Sequence, residues 1–294
     1  MNESGKIRVL HVVDSLKVGG VQSFVKDLVR RFEESPFALS WTALHGEGAD
    51  PSLLQLEPPP FVAAPHRYSP NMLRRLREII RTGGYAIVHA HGAPSCLLCE
   101  RFRRYLGIPR LIVHLHHIYR RQHGQSLQNL LEAAAYRRAD LLLGCSQRVI
   151  DSVPRSLPKE YVHCGLDTHY FAPPAAEAKN AIRRELGFQP SDVVLGFAGR
   201  LVGYKHPELP LQALARLYRE FPDLKALIVG AGPEAAQLQA LAAADGITDR
   251  VIFAGRRSDM IRFLSAMDVF VMASDEKEGF GLGLVEAMAM ALPC

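Results

Sequence analysis

No stretch of this chain approaches the ~18 uninterrupted apolar residues that a membrane span needs, so nothing in it reads as a transmembrane helix. Its beginning, "MNESGKIRVLHVV", sets one lysine before a short apolar run and shows no small-residue cleavage pattern after it. A secretory leader is therefore not expected, and the cytoplasm is. Cysteine is scarce and odd in number: Cys96, Cys99, Cys145, Cys164 and Cys294. An odd handful in a long chain argues against a disulfide framework and suits a reducing compartment. The "CLLC" at 96–99 has no second pair beside it, so it reads as buried thiols on a helix face rather than a zinc or redox site. Net charge is also small, +5 over 294 residues, but unevenly spread: residues 1–172 carry +7 and residues 173–294 carry −2. No nucleic-acid partner is expected. Part of the basic excess lies in "NMLRRLREIIRTGG" (71–84), where Leu73, Leu76, Ile79 and Ile80 keep helical spacing and Arg74, Arg75, Arg77 and Arg81 fill the rest. Two readings fit it: a helix with its arginines in water, and a peripheral contact with a membrane surface or an anionic acceptor.

What the chain has in abundance is short apolar runs alternating with amphipathic stretches. "RVLHVV" (8–13), "ALSWTAL" (38–44), "AIVHAH" (86–91), "LIVHLH" (111–116), "LLLGCS" (141–146) and "YVHCG" (161–165) read as strands with helices between them. The pattern pauses at "FAPPAAEAKN" (171–180), which reads as a linker. It then resumes with "VVLGFAG" (193–199), "KALIVGAG" (225–232), "RVIFAG" (250–255) and "DVFVMAS" (268–274). Repeated βαβ units build a parallel sheet covered on both faces. The expectation is an α/β chain of two tandem, doubly wound, Rossmann-like domains facing a cleft, 1–172 and 173–294. Ligand groups then belong just after strand ends.

Four strand ends carry chemistry. Gly19 and Gly20 close the loop after the first strand, and a helix starts at about Val21, with free amides fit for a phosphate or sugar oxygen. Arg200 and Lys205 share the loop after 193–199; they suit a diphosphate, the arginine as a fork and the lysine as a point charge, or else are solvated surface charges. "GAGPEAA" (230–236) nominally fits the dinucleotide fingerprint G-x-G-x-x-A. That fingerprint should close the first strand of its domain and be followed by an acidic strand end. Here it closes the second, and the next strand ends in "GRR" (255–257), which lowers that reading without removing it. Finally, in "EKEGFGLGLVEAMAMALPC" (276–294), Gly279, Gly281 and Gly283 leave the amides around Phe280 and Leu282 open, and a helix starts at about Leu282. Glu286 is the single charge from 279 onward, on a helix apolar nearly all round. A carboxylate there needs donors, such as ribose hydroxyls, unless it reaches water. Glu278, one turn earlier, approaches the same ligand from its other end.

These residues together resemble the retaining glycosyltransferases of the GT-B fold, family-4 type. "EGFGLGLVEAMA" resembles their E-x7-E motif, "VVDSLKVGGVQ" their N-terminal glycine loop, "VHAHG" their middle strand, "CGLDTHYFAP" their hinge entry, and "FAGRLVGYKH", "LIVGAGPEAAQLQALA" and "VIFAGRRSDMIRFLSAMDVFVMAS" successive pieces of their donor domain. The resemblance implies transfer of a hexose from a UDP-, GDP- or ADP-sugar to a saccharide or lipid-linked acceptor, with retention of configuration, in a setting such as polysaccharide assembly. It implies that Arg200 and Lys205 bind the diphosphate and stabilise the leaving nucleotide. Glu278, with the amides of Gly279 to Leu282, would hold the donor sugar, and Glu286 the ribose. Gly19 and Gly20 would close over the donor from the first domain. A histidine near the reacting sugar maps best to His116 by register, with His114 and His117 as contenders. No cofactor and no metal are implied, and the chain has no D-x-D motif.

Two departures accompany the resemblance. Cys164 stands where the family usually has asparagine. The family pattern also continues past "EAMAMALP" with further units and a helix crossing back to the first domain, whereas this sequence ends at Cys294. The expectation is thus a shortened donor domain, and a catalytically impaired nucleotide-binding remnant stands as the alternative function. A third reading takes His89, His91, His114, His116 and His117 as a hydrolytic metal site; carboxylate ligands at fitting positions are not evident.

Overall fold

The computed structural model describes residues 5–17, 19–32, 35–49, 61–66, 69–118, 136–153 and 158–294. It divides into two compact units, Met1–Gly165 and Leu166–Cys294.

The first unit is a seven-stranded parallel sheet. Its strands are β1 (Ile7–Ser15), β2 (Phe37–His45), β3 (Phe61–Val62), β4 (Ile87–His91), β5 (Arg110–Leu115), β6 (Leu141–Gly144) and β7 (Lys159–Tyr161). They lie in the order β3-β2-β1-β4-β5-β6-β7. Between them run α1 (Gly20–Arg31), α2 (Met72–Gly83), α3 (Ala93–Arg101), α4 (Arg103–Leu106) and α5 (Gln147–Asp151). The chain winds one way from β1 and the other way from β4, so the crevice at the switch point opens between the ends of β1 and β4. Strand β1 is apolar and β-branched because both faces are covered: Val9, Leu10, Val12 and Val13 are buried, and Val13 packs with Val25 and Val29 of α1 and with Trp41 and Ala43 of β2. Burial of such a side chain contributes about 1.5–3 kcal/mol.

Helix α2 turns Leu76 and Ile80 inward and leaves Arg74, Arg75, Arg77 and Arg81 exposed. Gly84, at φ 58°, ends it in the left-handed conformation that glycine tolerates. Cys96 and Cys99 are buried on α3, and burial pushes the Cys99 thiol up to about 12. The helix-face reading of "CLLC" holds among these free cysteines.

The second unit has a four-stranded parallel sheet of β8 (Val193–Ala198), β9 (Leu224–Val229), β10 (Val251–Gly255) and β11 (Val269–Phe270), ordered β10-β9-β8-β11. Its helices are α6 (Ala176–Leu186), α7 (Leu209–Leu217), α8 (Ala235–Ala244), α9 (Met260–Ala266) and α10 (Leu282–Ala289). Strand alternation sorts the core. Val194, Ala198, Leu227 and Val229 face Phe263, Leu264 and Ala287, whereas Leu195, Phe197, Ala226 and Ile228 face Leu211, Leu214, Leu238 and Ala242.

Three expectations shift. The units divide seven residues earlier than 172, because Leu166 and the buried Phe171 pack into the core of the second unit. The stretch 171–180 is not a linker throughout: α6 starts inside it at Ala176, after Pro173 and Pro174, and Lys179 and Arg183 of that helix both bond Asp268. Helix α10 is not buried all round; Ala287 is buried, Met288 is 61% exposed and Glu286 is half-buried. Its apolar residues outnumber the contacts that one packed face offers, with Leu284, Ala287, Ala289 and Met290 taking that face.

Candidate active site

In the first unit the ends of β1, β4 and β5 converge on histidines. Period two puts His89 and His91 on one face of β4, and the parallel register sets His11 beside His89 and His91 beside His114. His116 follows β5 directly. His11 Nδ1 lies 2.9 Å from His91 Nε2, and His91 Nδ1 lies 3.1 Å from His116 Nε2. His89 and His114 stack alongside, ring centroids 5.3 Å apart. Phe24, one turn into α1, covers the group with its ring 5.7 Å from His114 and 5.8 Å from His116. Gly20, the first residue of α1, and Gly19, its cap in extended backbone, therefore open the helix that roofs this cluster.

All five rings are held uncharged. Burial, with a smaller contribution from His114, lowers His11 to about 3, and burial lowers His114 to about 4. Burial first, then neighbouring imidazoles, carries His89, His91 and His116 well below their ordinary value. The ring nitrogens of His11, His89 and His91, and those of His91, His114 and His116, lie within 4.8 Å of one another, close enough to share an ion. His117 stays outside these groups.

In the second unit the residues at the switch point between β8 and β11 are charged. The chain leaves β8 through Arg200 and makes a tight turn at Gly203–Lys205. The Asp275 amide donates to the Tyr204 carbonyl at 2.8 Å. That bond ties the loop after β8 to the loop after β11 and lets Lys205 Nζ donate to Glu278 Oε2 at 2.6 Å across 73 residues of sequence. Both side chains are mostly covered, 17% and 23% exposed. Ser274 Oγ reaches the same carboxylate oxygen at 3.4 Å. Arg200 is exposed, and its one side-chain hydrogen bond among the described residues goes to the Tyr204 hydroxyl at 3.1 Å. Its guanidinium is thus left available to an anion.

Helix α10 starts beside these groups. Gly281 caps it at φ 79°, a left-handed conformation that favours glycine. A side chain on Gly283 would press on the Ala198 carbonyl at 3.2 Å, so the helix start lies against the end of β8. Gly279 is buried, and Phe280 and Leu282 are half-buried. The first amides of a helix have no partner inside it and point outward. Glu286 lies one turn further on, in the same helix.

The glycines of "GAG" have another use. A Cβ on Gly230 would overlap the Gly199 carbonyl oxygen, and one on Gly232 the Leu201 carbonyl oxygen. The Leu201 amide in turn donates to the Ala231 carbonyl. These glycines let two strand-end loops touch backbone to backbone, which accounts for the dinucleotide-like spelling without a dinucleotide.

The structure thus joins Lys205 to Glu278 directly, gathers Arg200 with them around Tyr204, and brings His116, His114 and the Gly19–Gly20 helix together in the other unit. Sequence reasoning passed over Tyr204, Ser274, Phe24 and the role of His11. For His11 a signal existed: it shares a strand face with apolar residues, in register with "HAH". For Tyr204 and Ser274 none did, because their positions depend on how two loops meet.

Both units match families of known proteins. The family model for Glycosyltransferase Family 4 matches residues 18–170, and that for Glycosyl transferases group 1 matches residues 178–294. A GDP-mannose-dependent monoacylated alpha-(1-6)-phosphatidylinositol monomannoside mannosyltransferase of Corynebacterium glutamicum is 28% identical over 296 residues, spanning 94% of this chain and 76% of its own. The lipopolysaccharide core biosynthesis mannosyltransferase LpsB of Rhizobium meliloti is 33% identical over 164 residues, 53% of this chain and 45% of its own. Among solved structures, Anabaena Alr3699/HepE in complex with UDP and glucose superposes with a TM-score of 0.82 at 21% identity, over 98% of this chain and 79% of that one.

Proposed function

Because the chain belongs to Glycosyltransferase Family 4, with GT-B architecture and action on nucleotide sugars as its class, we propose that it moves a hexose, with retention of configuration, from a nucleoside-diphosphate sugar to a saccharide or lipid-linked acceptor. The observation that carries this reading is the Lys205–Glu278 pair at the β8–β11 switch point, with Arg200 beside it. A diphosphate leaving group needs fixed positive charge where its own charge develops, and Arg200 and Lys205 supply it from one loop. Glu278 holds Lys205 in place and offers its second oxygen to sugar hydroxyls. The amides of Gly279 to Leu282 and the Glu286 carboxylate take the remaining donor hydroxyls, including the ribose. Within the first unit, Gly19, Gly20 and His116 are the uncharged groups proposed to meet hydroxyls. No cofactor or metal enters this reading.

The named mannosyltransferase relatives support a lipid-linked or lipopolysaccharide-type acceptor. The exposed arginines of α2 support a reaction in the cytoplasm at the inner membrane face, with this helix touching anionic headgroups. Among the described residues no helix is long and apolar enough to cross a membrane.

Calorimetry with UDP, GDP, ADP and NADP tests the donor site. One nucleoside diphosphate is expected to bind, and Lys205→Ala to weaken it. Binding of NADP alone would overturn the proposal. A folded chain that binds nucleotide but neither transfers nor hydrolyses any sugar would support the impaired-remnant alternative instead.

A further inference from the structure

The histidine cluster contains more order than a sugar contact requires. Three rings are linked in series by two hydrogen bonds, His11 Nδ1 with His91 Nε2 and His91 Nδ1 with His116 Nε2. The far nitrogen, His11 Nε2, is buried and has no partner among the described residues. The near one, His116 Nδ1, is the ring nitrogen that His91 does not engage.

We propose that His11 and His91 are positioning residues that lock His116 into one tautomer, making it a fixed hydrogen-bond partner and not a proton acceptor during turnover. This rests on the proposed function only for what lies at His116; the lock itself follows from proton counting. Each neutral imidazole carries one N–H, and each bond between two rings needs one proton. If His91 carries its proton on Nδ1, His11 must donate through Nδ1 and His116 receives on Nε2, so all three rings are Nδ1–H and His116 donates outward. If His91 carries it on Nε2, all three are Nε2–H and His116 accepts. Mixed arrangements break a bond or set two N–H groups against each other.

Passage between the two uniform states moves one proton across each bond, removes one at His116 Nδ1 and needs another at His11 Nε2. Among the described residues no donor bonds that buried atom, so the chain of rings is closed at its inner end and does not switch in the course of a reaction. Accepting a proton at His116 without relaying it onward would create an imidazolium against four other rings under burial, which is costly. Polarity is thus set when the chain folds.

Nitrogen-15 spectra of the histidine rings in the 294-residue chain at neutral pH test this, with resonances assigned from His11→Asn, His91→Asn and His116→Asn. The expected result is three neutral rings of one tautomer, either all Nδ1–H or all Nε2–H. In His91→Phe, the His116 Nε2 resonance should lose its hydrogen-bond shift while nucleotide-diphosphate affinity, which resides in the second unit, stays within twofold. Opposite tautomers within the three rings, an imidazolium, or shifts that vanish with a chelator, showing a bound metal, would overturn the proposal. So would a His116 spectrum unchanged in His91→Phe. Because the readout is the ring itself, a failure here leaves the donor-site proposal standing, and a failure of nucleotide binding leaves the tautomer result standing.

Discussion

The two units solve one topological problem with opposite chemistry. In each, the first strand lies between the second and the fourth of its series, β1 between β2 and β4 in the first unit and β8 between β9 and β11 in the second. In the first the switch point is lined by imidazoles that burial keeps neutral, several of them within strands. In the second it is lined by charged side chains on loops, Arg200 exposed and Lys205 neutralised by Glu278. The difference follows from depth. A strand residue is enclosed by both helical layers and cannot keep a charge, while a loop residue stays near enough to water to do so. An uncharged, hydrogen-bonding lining suits hydroxyl-rich groups, and a charged one suits a diphosphate.

Acid should separate the units most strongly. The buried histidines have folded values depressed below 6.5, so between those values and 6.5 the unfolded chain binds more protons. Their stabilising contribution is complete above 6.5 and is lost as pH falls toward about 3. In the second unit, burial alone would raise Asp268, but bonds from Lys179, the Val194 amide and Arg183 hold it below its ordinary 3.8. Its contribution persists until pH falls below 3.8. Trp41, the single tryptophan, is buried in the first unit. Its fluorescence should therefore change between pH 6.5 and 4, before hydrogen exchange in β8 and β9 accelerates. Simultaneous loss would erase the contrast.

Gly230→Ala should act on the second unit alone. Added carbon overlaps the Gly199 carbonyl, at a residue with φ 147°, and the strain costs about 3 kcal/mol. Thermal unfolding should show it, with Trp41 fluorescence following a separate, unshifted transition. Lys205→Ala, by contrast, should change stability by under about 1 kcal/mol, as expected of a partly exposed pair. It should weaken nucleoside diphosphate binding about 10- to 100-fold, the loss of one charge-assisted hydrogen bond, as read by calorimetry. The smallest effect on folding belongs to the double change Arg74→Gln and Arg77→Gln on α2, within about 0.5 kcal/mol. Sedimentation with anionic vesicles should nonetheless show reduced binding if that helix meets a membrane surface.

Much of this was legible in the residues. The strand runs fall within a few positions of β1, β2, β4, β5, β6 and β8 to β10, because a strand buried on both faces must be a short apolar, β-branched stretch. "YVHCG" was placed late, since β7 ends at Tyr161, and the two-residue β3 left no periodic signal. The cations after β8 and the glutamate after β11 stood out because strand ends are where such folds gather ligands. What could not be read was that Lys205 and Glu278 pair directly. Their meeting depends on the Asp275–Tyr204 backbone bond, which no local pattern encodes. The reading of α10 as wholly buried failed for a related reason: composition counts apolar residues, but only packing decides how many faces are covered.

By itself, the sequence determined the α/β class, two domains, the family and the charged residues that follow β8 and β11, since these depend on periodicity and on residue types at strand ends. Only the tertiary structure decided that five histidines, four within three strands and His116 just after β5, form one neutral cluster, that "GAG" serves a backbone contact, and that Lys205 is held by Glu278. The physical reason is range. Hydrophobic periodicity acts between neighbours along the chain, whereas proton sharing, desolvation and ion pairing depend on distances between residues that sequence sets far apart.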